Sequence, residues 1–150
     1  MADSRTDMIM LAWVRLIRAH DRVVANVEAA VKAKGYPPLA WYDVLLELSR
    51  EGGRRLRPVE LEKELLVAQY NLSRLLDRMV EAGLVRREPC VGDGRGQVVS
   101  LTAKGKAMQK EMWPPIRDIV MKEMTVLKDA DIEKLGKLLA PLANWFPAKR

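Results

Sequence analysis

Chemistry-bearing side chains are scarce in this sequence. Its 150 residues include one histidine, one cysteine, four tryptophans, three tyrosines and one phenylalanine. The lone Cys90 excludes an internal disulfide and any cysteine-based metal cluster, and it fits a reducing cytoplasm. The lone His20 leaves few general bases, and no Ser/His/Asp set, ligand cluster or cofactor loop accompanies it. Asp129 and Asp131 come closest to a carboxylate pair but read better as the acidic opening of a helix. The expectation is a protein that is not an enzyme and holds no metal or cofactor. No apolar run is long enough to span a bilayer, and no signal peptide with a basic start and small-residue cleavage site is visible. A cytoplasmic protein without a membrane partner follows. Aromatics are few and β-branched runs short, so the chain reads as mainly α (α+β), one domain over 1–150.

What is present is positive charge, unevenly spread. The formal net charge is +6. Residues 1–53 carry seven basic and seven acidic side chains, and residues 107–150 carry eight and six. Residues 54–106 carry eleven basic against seven acidic. The excess therefore concentrates in the middle of the chain, and a basic middle is compatible with nucleic acid.

That middle holds the most organised pattern. Pro58 suits a helix start, because its missing N–H would be unpaired there anyway. Glu60 and Glu62 follow in the first turns, and Leu61 and Leu65 share a face. A turn at Leu66-Val67 leads to a second helix, expected from about Ala68 to Ala82. Its apolar stripe is Leu72, Leu75, Leu76, Met79 and Val80. Gly83 suits the left-handed position beyond the helix end. Two β-like runs, Leu84–Glu88 and Gln97–Leu101, flank the glycine-rich tip PCVGDGRG. Helix, turn, helix and hairpin in that order make a winged helix-turn-helix, here over about 39–102.

The second helix carries Gln69, Tyr70, Asn71, Ser73, Arg74, Asp77 and Arg78 opposite its stripe. Gln, Asn, Ser and Arg bond base edges in a major groove, and Arg also holds phosphate. A solvated face is the alternative, and such faces are richer in Glu and Lys. Arg95 on the protruding tip suits a minor groove. Gly-x-Gly-x-Gly also invites a nucleotide-loop reading, but the following Lys-Ser/Thr and the strand-then-helix context are missing. Arg54 and Arg55 are expected on a short strand pairing with the hairpin base, as candidate phosphate contacts, with a solvated loop as the equal alternative.

The flanks are helical. Residues 7–34 form one long pattern with Leu11, Val14, Ile17, Val24, Val27 and Val31, ended by Gly35-Tyr36-Pro37-Pro38. Residues 39–51 form another, with Trp41, Val44, Leu45 and Leu48 as its buried face. Thr102 is the expected N-cap of a helix that Pro114-Pro115 should kink or break before about Leu127. A last helix runs from Asp129 to about Trp145. Helices 7–34 and 103–146 extend past a compact winged lobe with apolar faces, so a second copy of the chain is their expected partner. A two-fold dimer would set two recognition helices roughly 34 Å apart on a near-palindromic DNA duplex.

From about Leu11 to Leu142 the sequence resembles MarR-family transcriptional regulators. The most specific pieces are NLSRLLDRMVEAGLVRRE (Asn71 to Glu88) and DGRGQVVSLTAKG (Asp93 to Gly105). The second matches the family's wing pattern of Asp-x-Arg, a short strand, then Leu-Thr-x-x-Gly. The resemblance implies a homodimer with interlocked terminal helices that binds a palindromic operator, usually as a repressor. It sets Ser73, Arg74 and Arg78 on the recognition helix and Asp93 and Arg95 on the wing, with Asp93 holding Arg74 or Arg95. Ala68 stands where the family often has Ser, and Arg57 replaces the small polar cap before Pro58.

The resemblance further implies release from DNA by a small aromatic or phenolic acid held between platform and lobe. Trp13, Arg18, His20, Trp41, Tyr42 and Trp113 are the candidates, with ordinary core packing as the alternative for the rings. Cysteine-sensing relatives make a redox role for Cys90, near Arg86 and Arg87, an alternative regulation. A winged-helix module that binds protein instead of DNA would need an apolar or acidic recognition face, which this chain lacks.

Overall fold

Leu45, Leu48, Leu61, Leu76, Met79, Leu84, Val99 and Met112 come from six separate segments of the chain and are almost wholly buried together. The computed structural model describes residues 3–66, 71–90, 92 and 96–144. The elements are α1 (Ser4–Ala33), α2 (Leu39–Ser49), α3 (Pro58–Glu64), α4 (Leu72–Glu81), β1 (Val85–Pro89), β2 (Gln97–Leu101), α5 (Ala103–Met124) and α6 (Asp129–Ala143), and all but α6 supply buried residues to the core. This is a mainly helical winged helix-turn-helix with a small antiparallel sheet, as the sequence pattern predicts.

Local chemistry sets the boundaries. Glu28 on α1 accepts the Leu39 N–H at the start of α2, where Pro38 has no side-chain cap to offer. The α3 start is half of a capping box: Glu60 accepts the Arg57 N–H at 2.8 Å. An arginine side chain has no acceptor with which to complete the box. Gly83 takes φ +74° beyond α4, the left-handed position that glycine fills without strain.

β1 and β2 pair with Val85 opposite Leu101 and Pro89 opposite Gln97. The expected third strand shrinks to one bridge, and it lies at Leu56 instead of Arg54 and Arg55. Leu56 exchanges both backbone bonds with Val99, at 3.1 and 2.7 Å. The Arg54 N–H is already committed to the Leu48 carbonyl, so pairing cannot extend in that direction.

Pro114 and Pro115 do not break α5, against expectation; the helix runs through both. The carbonyls they leave without donors belong to Lys110 and Glu111, both exposed, where water serves them. Met112 and Ile116 are buried on either side of the pair and hold both halves of the helix to the core.

The two ends of the chain differ from its middle. Every residue of α1 from Ser4 to Arg22 is exposed, and α6 has no buried residue. Ile9, Leu11, Trp13, Ile17, Leu138 and Leu142 are among the large apolar side chains left in solvent, Leu142 at 74%. Deeper in the chain, Glu123 on α5 ties to α1 through Asn26 at 2.7 Å and Arg22 at 3.4 Å. No helix of the described residues is long and apolar enough to cross a membrane.

Candidate nucleic-acid interface

The recognition helix begins later than its apolar periodicity suggests. Asn71 is non-helical (φ −142°, ψ 70°), and its side-chain oxygen accepts the Arg74 N–H at 3.1 Å. It is therefore the N-cap, a role asparagine fills as well as any residue. Gln69 and Tyr70, which the pattern set inside the helix, lie outside the described residues. From Leu72 onward one face is anchored: Leu72, Leu76 and Met79 are buried. The other face carries Ser73, Arg74, Asp77 and Arg78, all exposed.

Two sets of bonds fix this helix. At its C-terminal end, Thr102 Oγ1 donates to the Gly83 carbonyl at 2.6 Å and accepts the Gly105 N–H at 3.0 Å. Lys104 Nζ adds a bond to the Ala82 carbonyl at 2.9 Å. Gly105 presses so closely that a Cβ there would stand 2.0 Å from the Leu84 oxygen. The Leu-Thr-x-x-Gly pattern is thus a joint between α4 and α5. The second set runs from β1: Arg87 Nη2 reaches Asp77 at 2.9 Å and the Ser73 carbonyl at 3.1 Å. The sequence pattern set Arg87 beside Cys90 and gave no sign of this bracing role. The alternation in VRREP could have found it, because the residue two after buried Val85 must face the same side.

Comparison with known proteins agrees with this geometry. A sequence profile described as the MarR family matches residues 34–96. AbsC, a MarR family transcriptional regulator from Streptomyces coelicolor, is 28% identical with a TM-score of 0.81, over 92% of this chain and 93% of its own. The chain thus matches the MarR family's profile over its winged lobe and the fold of these regulators over nearly its whole length. Sco3205, a MarR family transcriptional regulator from the same organism solved in complex with DNA, is also 28% identical at TM-score 0.81, over 93% and 88% of the two chains. A mutant MarR from E. coli complexed with operator DNA is 27% identical at TM-score 0.77, over 94% and 99%.

The remaining candidates fall in separate places. Asp93 and Arg95 of the wing lie outside the described residues. Arg54 and Arg55 do not join the α4 face: Arg55 pairs with Glu88, and Arg54 stands 3.8 Å from Glu47, which bonds Arg50 more closely at 2.9 Å. Glu88 is one residue on from Arg87 and so projects from the opposite face of the hairpin.

Of the ring set, Trp13, Arg18 and His20 sit on the exposed half of α1, where His20 Nδ1 lies 3.1 Å from the neighbouring Asp21. Trp113 on α5 is exposed, Trp41 packs half-buried against the core, and Tyr42 is buried. Burial raises the Tyr42 phenol above its ordinary pKa, while the Gln109 side chain and the Arg50 charge oppose that rise. The phenol oxygen makes no hydrogen bond of normal geometry among the described residues. Two grooves on the described surface are lined by none of these six residues. Cys90 meets a different cation from those expected: Arg57 Nη2 is 3.4 Å from its Sγ, while Arg87 is bound to α4 and Arg86 projects from the other face of β1.

Proposed function

We propose that this chain is a cytoplasmic, homodimeric repressor that binds a near-palindromic DNA operator through α4 and the wing. The observation that carries the reading is the α4 face. It is polar and basic, presents Ser73, Arg74 and Arg78 to solvent, and is braced from behind by Arg87 and Thr102. A rigid helix offering arginine and hydroxyl donors matches the donor and acceptor pattern of a major groove. The two DNA-bound relatives support the same use. Arg95 on the wing reaches the adjacent minor groove, with Asp93 holding an arginine in place, and Gln69, Tyr70 and Asn71 add contacts at the helix start.

The winged lobe, about 39–102, hangs from a platform built by the helices 7–34 and 103–146. The exposed apolar faces of α1 and α6 are the reason to expect a second copy there, since so much apolar surface is rarely left in water. A small aromatic or phenolic acid, held among Trp13, Arg18, His20, Trp41, Tyr42 and Trp113, releases the DNA.

Selection of duplexes from a random pool by the purified protein tests this reading. A near-palindrome with half-sites about 10 base pairs apart is expected, with binding that weakens steeply in salt. No enriched sequence would sink it. The selected duplex then serves to screen aromatic acids for release.

A further inference from the structure

We propose that the outer face of the hairpin base is a binding site for a small phosphate-bearing molecule, separate from the DNA-reading surface. A groove of about 210 Å³ lies there. Four cations line it: Arg54 and Arg55 from the loop after α2, Arg86 from β1 and Lys106 from α5. Ser100, the cross-strand partner of Arg86, adds a hydroxyl. Glu88 is the one acid among these described lining residues, and it is bound to Arg55.

The charge in this groove is only partly compensated. Glu47 serves Arg50 first and reaches Arg54 only at 3.8 Å. Arg86 and Lys106 make no ion pair among the described residues. Three chain segments thus converge on one concavity with a local excess of positive charge, and mutual repulsion makes that arrangement unfavourable until an anion enters. Guanidinium groups beside an ammonium and a hydroxyl suit a phosphoryl group, which accepts paired N–H bonds.

The register shows why the occupant is not the operator. Arg86 lies opposite Ser100, near the end of the ladder remote from the tip. Side chains alternate along β1, so Arg87 faces α4 while Arg86 and Glu88 face the groove. A duplex lying on α4 and gripped by the wing tip approaches the other side of the sheet. The arginines that read as phosphate contacts in sequence thus meet a phosphate of a different origin.

The test uses the full chain, 15N-labelled, titrated with inorganic phosphate in chloride buffer at fixed ionic strength. Saturable shifts of the Gly53, Arg54, Arg86 and Ser100 amides are expected. The midpoint should rise about tenfold in Arg86→Gln and in Lys106→Gln, as losing one charge-assisted bond implies. Both side chains are exposed, so both variants should keep the wild-type far-UV spectrum. Shifts that do not saturate, that chloride reproduces, or whose midpoint neither variant moves would overturn the site. A second arm measures duplex binding against salt without phosphate. Arg86→Gln should keep the wild-type slope. A slope shallower by about one would mean that the groove holds the DNA backbone, and would overturn the small-molecule occupant. The phosphate titration needs no DNA, so it stands even if no duplex is ever selected.

Discussion

Arg87 and Asp77 lie 2.9 Å apart, and that contact joins the hairpin to the recognition helix. The same nitrogen of Arg87 also holds the Ser73 carbonyl one turn earlier. The arginine therefore sets how far α4 can roll on the lobe. Replacing Arg87 by Gln should lower stability by only about 1 kcal/mol, because Asp77 is largely solvated. DNA affinity should fall about fivefold, through misplacement of Ser73 and Arg74. Asp77→Asn should cost less, since the Ser73 bond survives. Thermal melts and fluorescence anisotropy with the selected duplex measure both. Unchanged affinity in Arg87→Gln would mean that the contact positions nothing.

Arg74, Arg78 and Arg95 should differ from one another in kind. An arginine on phosphate, replaced by Ala, weakens binding to all sequences alike and lowers the salt slope by about one. An arginine on a base edge costs about 1–3 kcal/mol and relaxes preference at one position. Salt titrations of the three alanine variants, each with repeated duplex selection, sort them. A variant that binds like wild type has been given the wrong role.

Gly105 should tolerate no side chain. A Cβ would meet the Leu84 carbonyl oxygen at 2.0 Å, and backbone cannot swing aside as a flexible side chain can. Gly105→Ala should lose about 3 kcal/mol, the upper part of the range for overpacking. Urea unfolding gives the figure. At Gly136 a Cβ would meet nothing within 4 Å, and Gly136→Ala should hold or gain stability as a mid-helix replacement.

Tyr42 carries a testable pH dependence. Its phenol is raised by burial, so the folded chain keeps that proton above the ordinary phenol pKa of about 10 while the unfolded chain releases it. The unfolded state then binds fewer protons, and stability falls as pH climbs from about 10 towards the folded pKa. Tyr42→Phe should lose less stability over that window. It should be neutral or slightly stabilising at pH 7, because no good hydrogen bond is forfeited. A steeper alkaline loss in the variant would contradict this.

The apolar ends should govern assembly. Ile17→Asp on α1 or Leu142→Asp on α6 places a charge on a face exposed in the single chain. Neither should unfold the lobe, whose core lies elsewhere. Sedimentation should show the variants as monomers where the wild type is a dimer, with palindrome binding reduced accordingly. A wild-type monomer at micromolar concentration would refute the platform.

The parts legible in sequence were those written in local rules. Gly83, the Thr102 cap and the alternation on either side of the tip each depend on a few adjacent residues. The long apolar patterns of α1 and α2 likewise needed no tertiary information. What the sequence hid was competition. Apolar periodicity ran α4 back to Ala68, but the capping strength of Asn71 prevails three residues later. Two prolines argued for a break in α5, but exposed carbonyls and the buried Met112 and Ile116 carry the helix through. Arg54 and Arg55 read as one more strand until the Leu48 carbonyl took the first backbone donor. The pairing of Arg87 with α4, and the turning away of Arg86, depend on hairpin register, which composition cannot supply.

The joint at Gly105 has a mechanical consequence. Because α5 touches Leu84 with no slack, it meets the recognition helix as a pivot and not as a cushion. α5 has 22 residues, so it is a lever about 33 Å long. A tilt of about 5° at one end moves the other by about 3 Å, the length of a hydrogen bond. The placing of α4 is therefore tied to the direction in which α5 points.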